Sequence, residues 1–144
     1  MYVVDERVRF PARGLSLSGV LSYPEAGEPR AAVLVLSPHP SFAGHLDNNV
    51  VRAMAAELAA AGARVLRFDY PGVGESGIEL PPAASVLDYW RRIEDEARYG
   101  DVLSDARAAE RFLAGVAGDL PAHRVGYSFG ALIAALRACE PRAV

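Results

Sequence analysis

The chain has one cysteine, Cys139, so no disulfide can close within it. Cys139 has no neighbours that would activate a thiol and reads as a small buried helix residue. An unpaired cysteine suits the reducing cytoplasm, which is the expected location. No apolar run approaches the ~18 residues that span a bilayer, so no membrane partner is expected. The opening Met1–Arg7 segment lacks the basic and apolar stretches of a signal peptide. Its 15 basic residues are spread along a chain of net charge -3, which leaves no electrostatic footprint for nucleic acid. No group of His, Cys, Asp and Glu has metal-ligand spacing, and neither a metal nor a cofactor is expected. Internal repeats and low-complexity segments are absent too.

What remains is a chain of 144 residues, 51% hydrophobic and 23% charged, enough for one folded domain over residues 1–144. Val8 and Phe10, then Leu15, Leu17 and Leu21, alternate on either side of Pro11–Gly14. That pattern predicts two antiparallel strands joined by a turn. Ala31–Leu36 is continuously apolar, as in a parallel strand covered on both faces. A loop over Ser37–Asn48 follows. Val51, Met54, Ala55 and Leu58 then recur at helical spacing, with Asp47 or Asn48 as cap and Gly62 as stop. Arg64–Phe68 reads as the next strand. Val86, Tyr89, Trp90, Ile93 and Ala97 share one helical face behind Ser85, and Gly100 interrupts the pattern. A further helix carries Ala109, Phe112, Leu113 and Val116. A short strand at Ala122–Tyr127 leads to a last helix with Leu132, Ile133 and Leu136, closed by Pro141. Strands alternating with helices predict an α/β fold. Its sheet is mostly parallel and twisted, with an antiparallel N-terminal edge and helices on both faces.

The chemistry concentrates at Gly126-Tyr127-Ser128-Phe129-Gly130, between a predicted strand and a predicted helix. A serine at such a junction must turn sharply, and the residues two positions away must be small to avoid a clash. Gly126 and Gly130 meet that need. Ser128 is then a nucleophile at a helix N-terminus, and the backbone N–H of Phe129 faces any developing oxyanion. In a parallel sheet, ligands gather at the carboxyl ends of strands. The loop after Leu36 therefore lies near Ser128. The backbone N–H of Ser41 is assigned as second oxyanion donor, with Phe42 next in line. His39, Phe42, His45 and Tyr127 are candidate site-lining residues, His39 reading as a loop residue hydrogen-bonded to backbone. Gly72-Val73-Gly74-Glu75-Ser76-Gly77 matches a dinucleotide fingerprint, but Pro81 and Pro82 delay the helix such a site requires.

Four segments, Leu34–Pro40, Asp47–Asn49, Leu66–Ser76 and Gly126–Ala131, together resemble small bacterial α/β-hydrolases. They are similar to the dienelactone-hydrolase-like and serine-aminopeptidase-like groups. The resemblance implies the N-terminal portion of an α/β-hydrolase fold, with C-terminal strands missing from the chain. It implies a serine hydrolase that forms an acyl-enzyme at Ser128 with a small-molecule ester, thioester or amide. In that fold the acid and histidine follow the serine. Here only Glu140 and no histidine follows Ser128; His39, His45 and His123 all precede it. The chain alone is therefore expected to be inactive, with acid and base supplied from outside it. A His45–Ser128 dyad is the local alternative, with Asp47 as the nearby orienting candidate. Residues 78–102 look like a helical insertion relative to the family. They are either a lid-like element or a helix anchored by Tyr89 and Trp90. A second reading makes the chain a non-catalytic remnant. The exposed edge of its last strand would then pair in a homodimer or with a complementing chain.

Overall fold

The computed structural model describes residues 2–141. A sheet with strand order β1-β2-β4-β3-β5 is built from β1 (Val3–Ala12), β2 (Leu15–Pro24), β3 (Ala31–Leu36), β4 (Ala63–Phe68) and β5 (Ala122–Gly126). β2 is antiparallel to both its neighbours, while β3 pairs in parallel with β4 and β5. The other strands all run one way against β2, and the antiparallel hairpin forms one edge of the sheet. The hairpin turn is tighter than the sequence suggests. It is Arg13-Gly14 alone, both at positive φ (50° and 77°), the arrangement a right-twisted two-residue turn demands. Pro11 lies inside β1 opposite Ser16, tolerated because β1 is an edge strand with its other side unpaired among the described residues.

Helices cover both faces. α1 (Asn49–Ala60) packs Val51, Ala55 and Ala59 on Val33, Val35, Ala63 and Val65. Asn48 caps it, its side chain accepting from the N–H groups of Val50 (2.9 Å) and Val51 (3.2 Å). On the opposite face lie α2 (Val86–Asp95), α3 (Gly100–Ala117) and α4 (Phe129–Cys139). There Leu34, Leu36, Leu66 and Phe68 meet Trp90, Ile93, Ala106, Ala109, Leu113 and Ile133. Residues 33 to 36 thus alternate between two cores, as a strand covered on both sides must.

Two expectations change. Gly100 starts α3 rather than merely separating two helices, because Ala97 at positive φ (47°) breaks the chain earlier. Cys139 is exposed, not buried. It follows buried Ile133 by six residues, which carries it about a third of a turn round α4, away from the sheet. A part-buried ion pair locks the hairpin to α3: Arg13 donates to both carboxylate oxygens of buried Asp105 at 2.8 and 2.9 Å. Burial pushes the Asp105 carboxyl up, and the Arg13 guanidinium opposes that shift.

Candidate active site

β5 ends at Gly126, and α4 begins at Phe129, leaving Tyr127 and Ser128 to turn the chain. Ser128 has φ 59° and ψ −120°, outside the left-handed helical region and strained for a side chain with a Cβ. Such backbone costs ~1–3 kcal/mol and persists only where its surroundings enforce it. The enforcement is visible. A Cβ at Gly126 would overlap the carbonyl of Gly130. At Gly130 it would sit 2.5 Å from the Leu36 carbonyl carbon and 2.8 Å from the Ser37 carbonyl oxygen. The two glycines therefore allow α4 to start directly against both β5 and the end of β3. Tyr127 N–H donates to the Leu36 carbonyl (3.2 Å), and Gly130 N–H returns to Tyr127 (3.0 Å). Ser128 is exposed, and its side chain caps nothing in α4. Phe129 N–H, a first-turn donor, has no backbone acceptor among the described residues.

The loop after β3 is wound tightly beside this turn. Pro40–Phe42 form a single 3₁₀ turn. His39 is only 2% exposed. Its Nδ1 accepts from Ser41 N–H (3.1 Å), and its Nε2 lies 3.0 Å from the Trp90 carbonyl. The ring is therefore the neutral tautomer with Nε2 protonated, and both nitrogens are committed. This geometry corrects one expectation. The Ser41 N–H is not a free donor, because the His39 ring holds it, and Phe42 N–H likewise donates to the His39 carbonyl (2.8 Å). Buried His39 lines no open surface, whereas Phe42 (69%) and Tyr127 (44%) stand exposed. The His39 and Phe129 rings meet edge to face at 5.2 Å, so loop and turn share one aromatic contact. His45 is half-buried, and its Nδ1 accepts from Asp47 N–H at 3.2 Å. Among the described residues no hydrogen bond links it to Ser128. His123 lies in the first half of β5, at the end of the strand remote from Ser128.

Two charged residues of the β4 segment fix the loop from below. Arg67 Nε donates to the Leu46 carbonyl (2.9 Å), while Leu46 N–H donates to Asp69 Oδ1 (2.7 Å). The backbone of one residue, Leu46, is thus gripped on both sides by side chains that are each 5% exposed. Burial pushes the Asp69 carboxyl up, opposed by the Leu46 N–H and by His45. Burial also pulls the Arg67 guanidinium down. Asp69, directly after the Arg64–Phe68 strand, reads from sequence as a loop-fixing carboxylate, and it is one; its partner Arg67 was missed, its signal being a lone charge inside the apolar Val65–Phe68 run. The glycine-rich stretch after Asp69 is a hook rather than a helix start. Ser76 Oγ donates to the Asp69 carbonyl (2.6 Å) and accepts from Ser18 N–H (2.8 Å). Gly74 (φ 54°) leaves room that a Cβ would take from the Asp69 carboxylate. Trp90 Nε1–H donates to the Pro71 carbonyl (2.9 Å), and Tyr70 O–H to the Ser37 carbonyl (2.7 Å).

A β1-β2-β4-β3-β5 sheet, a serine at a strained bend after the last strand and a bracing loop after β3 decide the comparison. This is the α/β-hydrolase fold. The chain is similar to an α/β serine hydrolase homologue from Coxiella burnetii, at 24% identity and a TM-score of 0.75 over 96% of this chain and 59% of that one. It is also similar to a serine hydrolase without a lid from Xanthomonas campestris (19%, TM-score 0.74, 93% and 55% of the two chains). A third likeness is to a dienelactone hydrolase-like promiscuous phosphotriesterase from metagenomic libraries (19%, TM-score 0.69, 96% and 54%). The α/β-hydrolase portion seen here thus spans between half and three-fifths of the length of these neighbours. No protein-family model and no curated protein matches the chain. Among the described residues, no helix is long and apolar enough to cross a membrane.

Proposed function

We propose that the protein is a serine hydrolase that cleaves an ester, thioester or amide through an acyl-enzyme at Ser128. The observation that carries this reading is the backbone of Ser128 at φ 59° and ψ −120°, held between two glycines that no larger residue can replace. Strain of this kind has no use in a plain strand-to-helix connection. It lifts a hydroxyl clear of the sheet at the start of α4, where a first-turn N–H can face an oxyanion. The serine hydroxyl attacks the carbonyl carbon and loses its proton to a base. The tetrahedral oxyanion forms against Phe129 N–H. Collapse expels the alcohol, thiol or amine, and water then releases the acid. The second oxyanion donor comes from the 37–45 loop. Ser41 serves only if its N–H is shared with, or released by, His39.

The base is the part these residues do not supply. Both nitrogens of His39 are committed, His45 has no bond to Ser128 among the described residues, and His123 is on the wrong end of β5. We therefore assign the acid and histidine to polypeptide outside this chain, and the setting to the cytoplasm, where exposed Cys139 stays reduced. We read residues 78–102 as a fixed wall of the site, because Trp90 is buried and bonded to Pro71. Reading the coding DNA beyond Val144 tests the assignment. An open frame with an acid and then a histidine supports it, and Ser128→Ala in that product should abolish esterase activity while leaving the fold intact. Activity that survives Ser128→Ala removes Ser128 from the mechanism.

A second reading is favoured by the side of β5 that no strand pairs among the described residues, whose Ala122–Arg124 are exposed beside the apolar groove of Met54, Leu58 and Val125. There the chain is a binding subunit whose β5 edge pairs with a second copy or a complementing chain. Sedimentation of the purified chain as a monomer at all concentrations would count against self-pairing.

A further inference from the structure

We propose that His39 is a positioning residue that couples α2 to the loop beside Ser128. This deepens, and rests on, the hydrolase reading above. His39 sits where three elements meet. Its Nε2–H holds a carbonyl of α2, that of Trp90 (3.0 Å). Its Nδ1 holds Ser41 N–H (3.1 Å), the same i to i+2 closure an asparagine makes in an Asx-turn. Its ring lies edge to face against Trp90 (5.7 Å), against Phe129 (5.2 Å) and against Phe42 (6.3 Å).

No slack exists around it. A Cβ at Gly44 would overlap the Pro38 carbonyl and come within 2.5 Å of the His39 carbonyl, so the loop folds flat onto its own backbone. Trp90 is in turn fixed by its Nε1–H to the Pro71 carbonyl (2.9 Å). One imidazole therefore holds α2 in register with the Ser41–Phe42 turn and with Phe129, the residue after Ser128. For filling space alone a histidine is a poor choice, since both buried nitrogens must then be bonded. A phenylalanine would fill the same buried volume without leaving polar atoms to satisfy. The ring's two bonds point to two backbones that must keep register.

Two substitutions separate the halves of the relay. His39→Asn keeps an oxygen for Ser41 N–H but is too short for Trp90. His39→Ala loses both. Amide exchange by mass spectrometry and the emission of Trp90, the chain's only tryptophan, read the coupling without any activity. His39→Ala should speed exchange at Ser41 and Phe42 by about tenfold while β3 and β4 stay protected. His39→Asn should preserve Ser41 protection yet shift Trp90 emission to the red. In the product of the whole reading frame, fluorophosphonate labelling of Ser128 should slow about tenfold in His39→Asn and about a hundredfold in His39→Ala. Unchanged exchange at Ser41 in His39→Ala, or wild-type labelling in His39→Asn, overturns the proposal. Exchange that rises throughout the sheet shows a fold-stabilising role only and also overturns it. If wild-type Ser128 takes no label, the hydrolase reading fails instead, and the exchange result alone decides for or against His39.

Discussion

The two faces of the sheet are built from different materials. Against α1 lie valines and alanines: Val33, Val35, Val51, Ala55, Ala59, Ala63 and Val65. Against α2, α3 and α4 lie Phe10, Phe68, Tyr70 and Trp90 among leucines. The rings form a chain of contacts, edge to face from Phe10 to Phe68 (5.5 Å) and Phe68 to Tyr70 (5.5 Å), and tilted from Tyr70 to Trp90 (5.3 Å). The polar tips of these rings and of His39 beside them are aimed at backbone, in the loops for Tyr70 and Trp90 and on α2 for His39. Tyr70 reaches the Ser37 carbonyl, Trp90 the Pro71 carbonyl, and His39 the Trp90 carbonyl. The small aliphatic face lets a helix approach closely and does nothing more. The aromatic face buries apolar area and at the same time sets the positions of loops at the carboxyl ends of the strands. One core therefore stabilises, and the other stabilises and positions.

That contrast can be broken by substitution. The largest effect is expected for Trp90→Ala, at about 4 kcal/mol from lost packing and a cavity. Urea titration would measure it, and Ser128 labelling should slow along with it because Pro71 and His39 lose their neighbour. Val35→Ala on the other face should cost about 2 kcal/mol and leave the labelling rate of the folded protein unchanged. Slowed labelling in Val35→Ala would mean that both faces position the site. The smallest effect is a pH slope. Burial raises the Asp69 carboxyl, so the folded state binds that proton more tightly than the unfolded chain does. Asp69 therefore lowers stability as pH climbs from about 4 through its raised folded value. Asp69→Asn keeps an oxygen for Leu46 N–H and removes this term. The difference in stability, variant minus wild type, should thus grow in the variant's favour between pH 4 and 7. A difference that stays flat with pH would show that Asp69 is not titrating from a buried site.

Local pattern made much of this molecule legible. The unbroken Ala31–Leu36 run, the helical spacing from Val51 to Leu58 and the glycine-flanked Ser128 each describe neighbours in sequence, and each is found where its pattern implies. What escaped was set by contacts between distant residues. Pro11 looked like a turn because proline breaks ladders, but an edge strand has a side where no donor is needed. Ser41 looked like a free donor because, although His39 read as bonded to backbone, spacing alone did not say that its ring takes the Ser41 N–H. The Arg67 and Asp69 grip on Leu46 spans 21 and 23 residues, and Trp90 reaches Pro71 across 19. Periodicity carries no record of such pairings. The traces they left were a charge stranded inside a buried strand, Arg67, and a carboxylate at its end, Asp69, legible as a loop-fixing group.

The central claim is that the bend at residue 128 exists to present a reactive hydroxyl. Intact-protein mass spectrometry after exposure to a fluorophosphonate, with the adduct mapped by peptide sequencing, addresses it directly. The product of the complete reading frame should gain a single adduct on Ser128, and its Ser128→Ala variant should gain none. A wild-type protein that stays unmodified, or an adduct of equal yield in Ser128→Ala, would contradict the account.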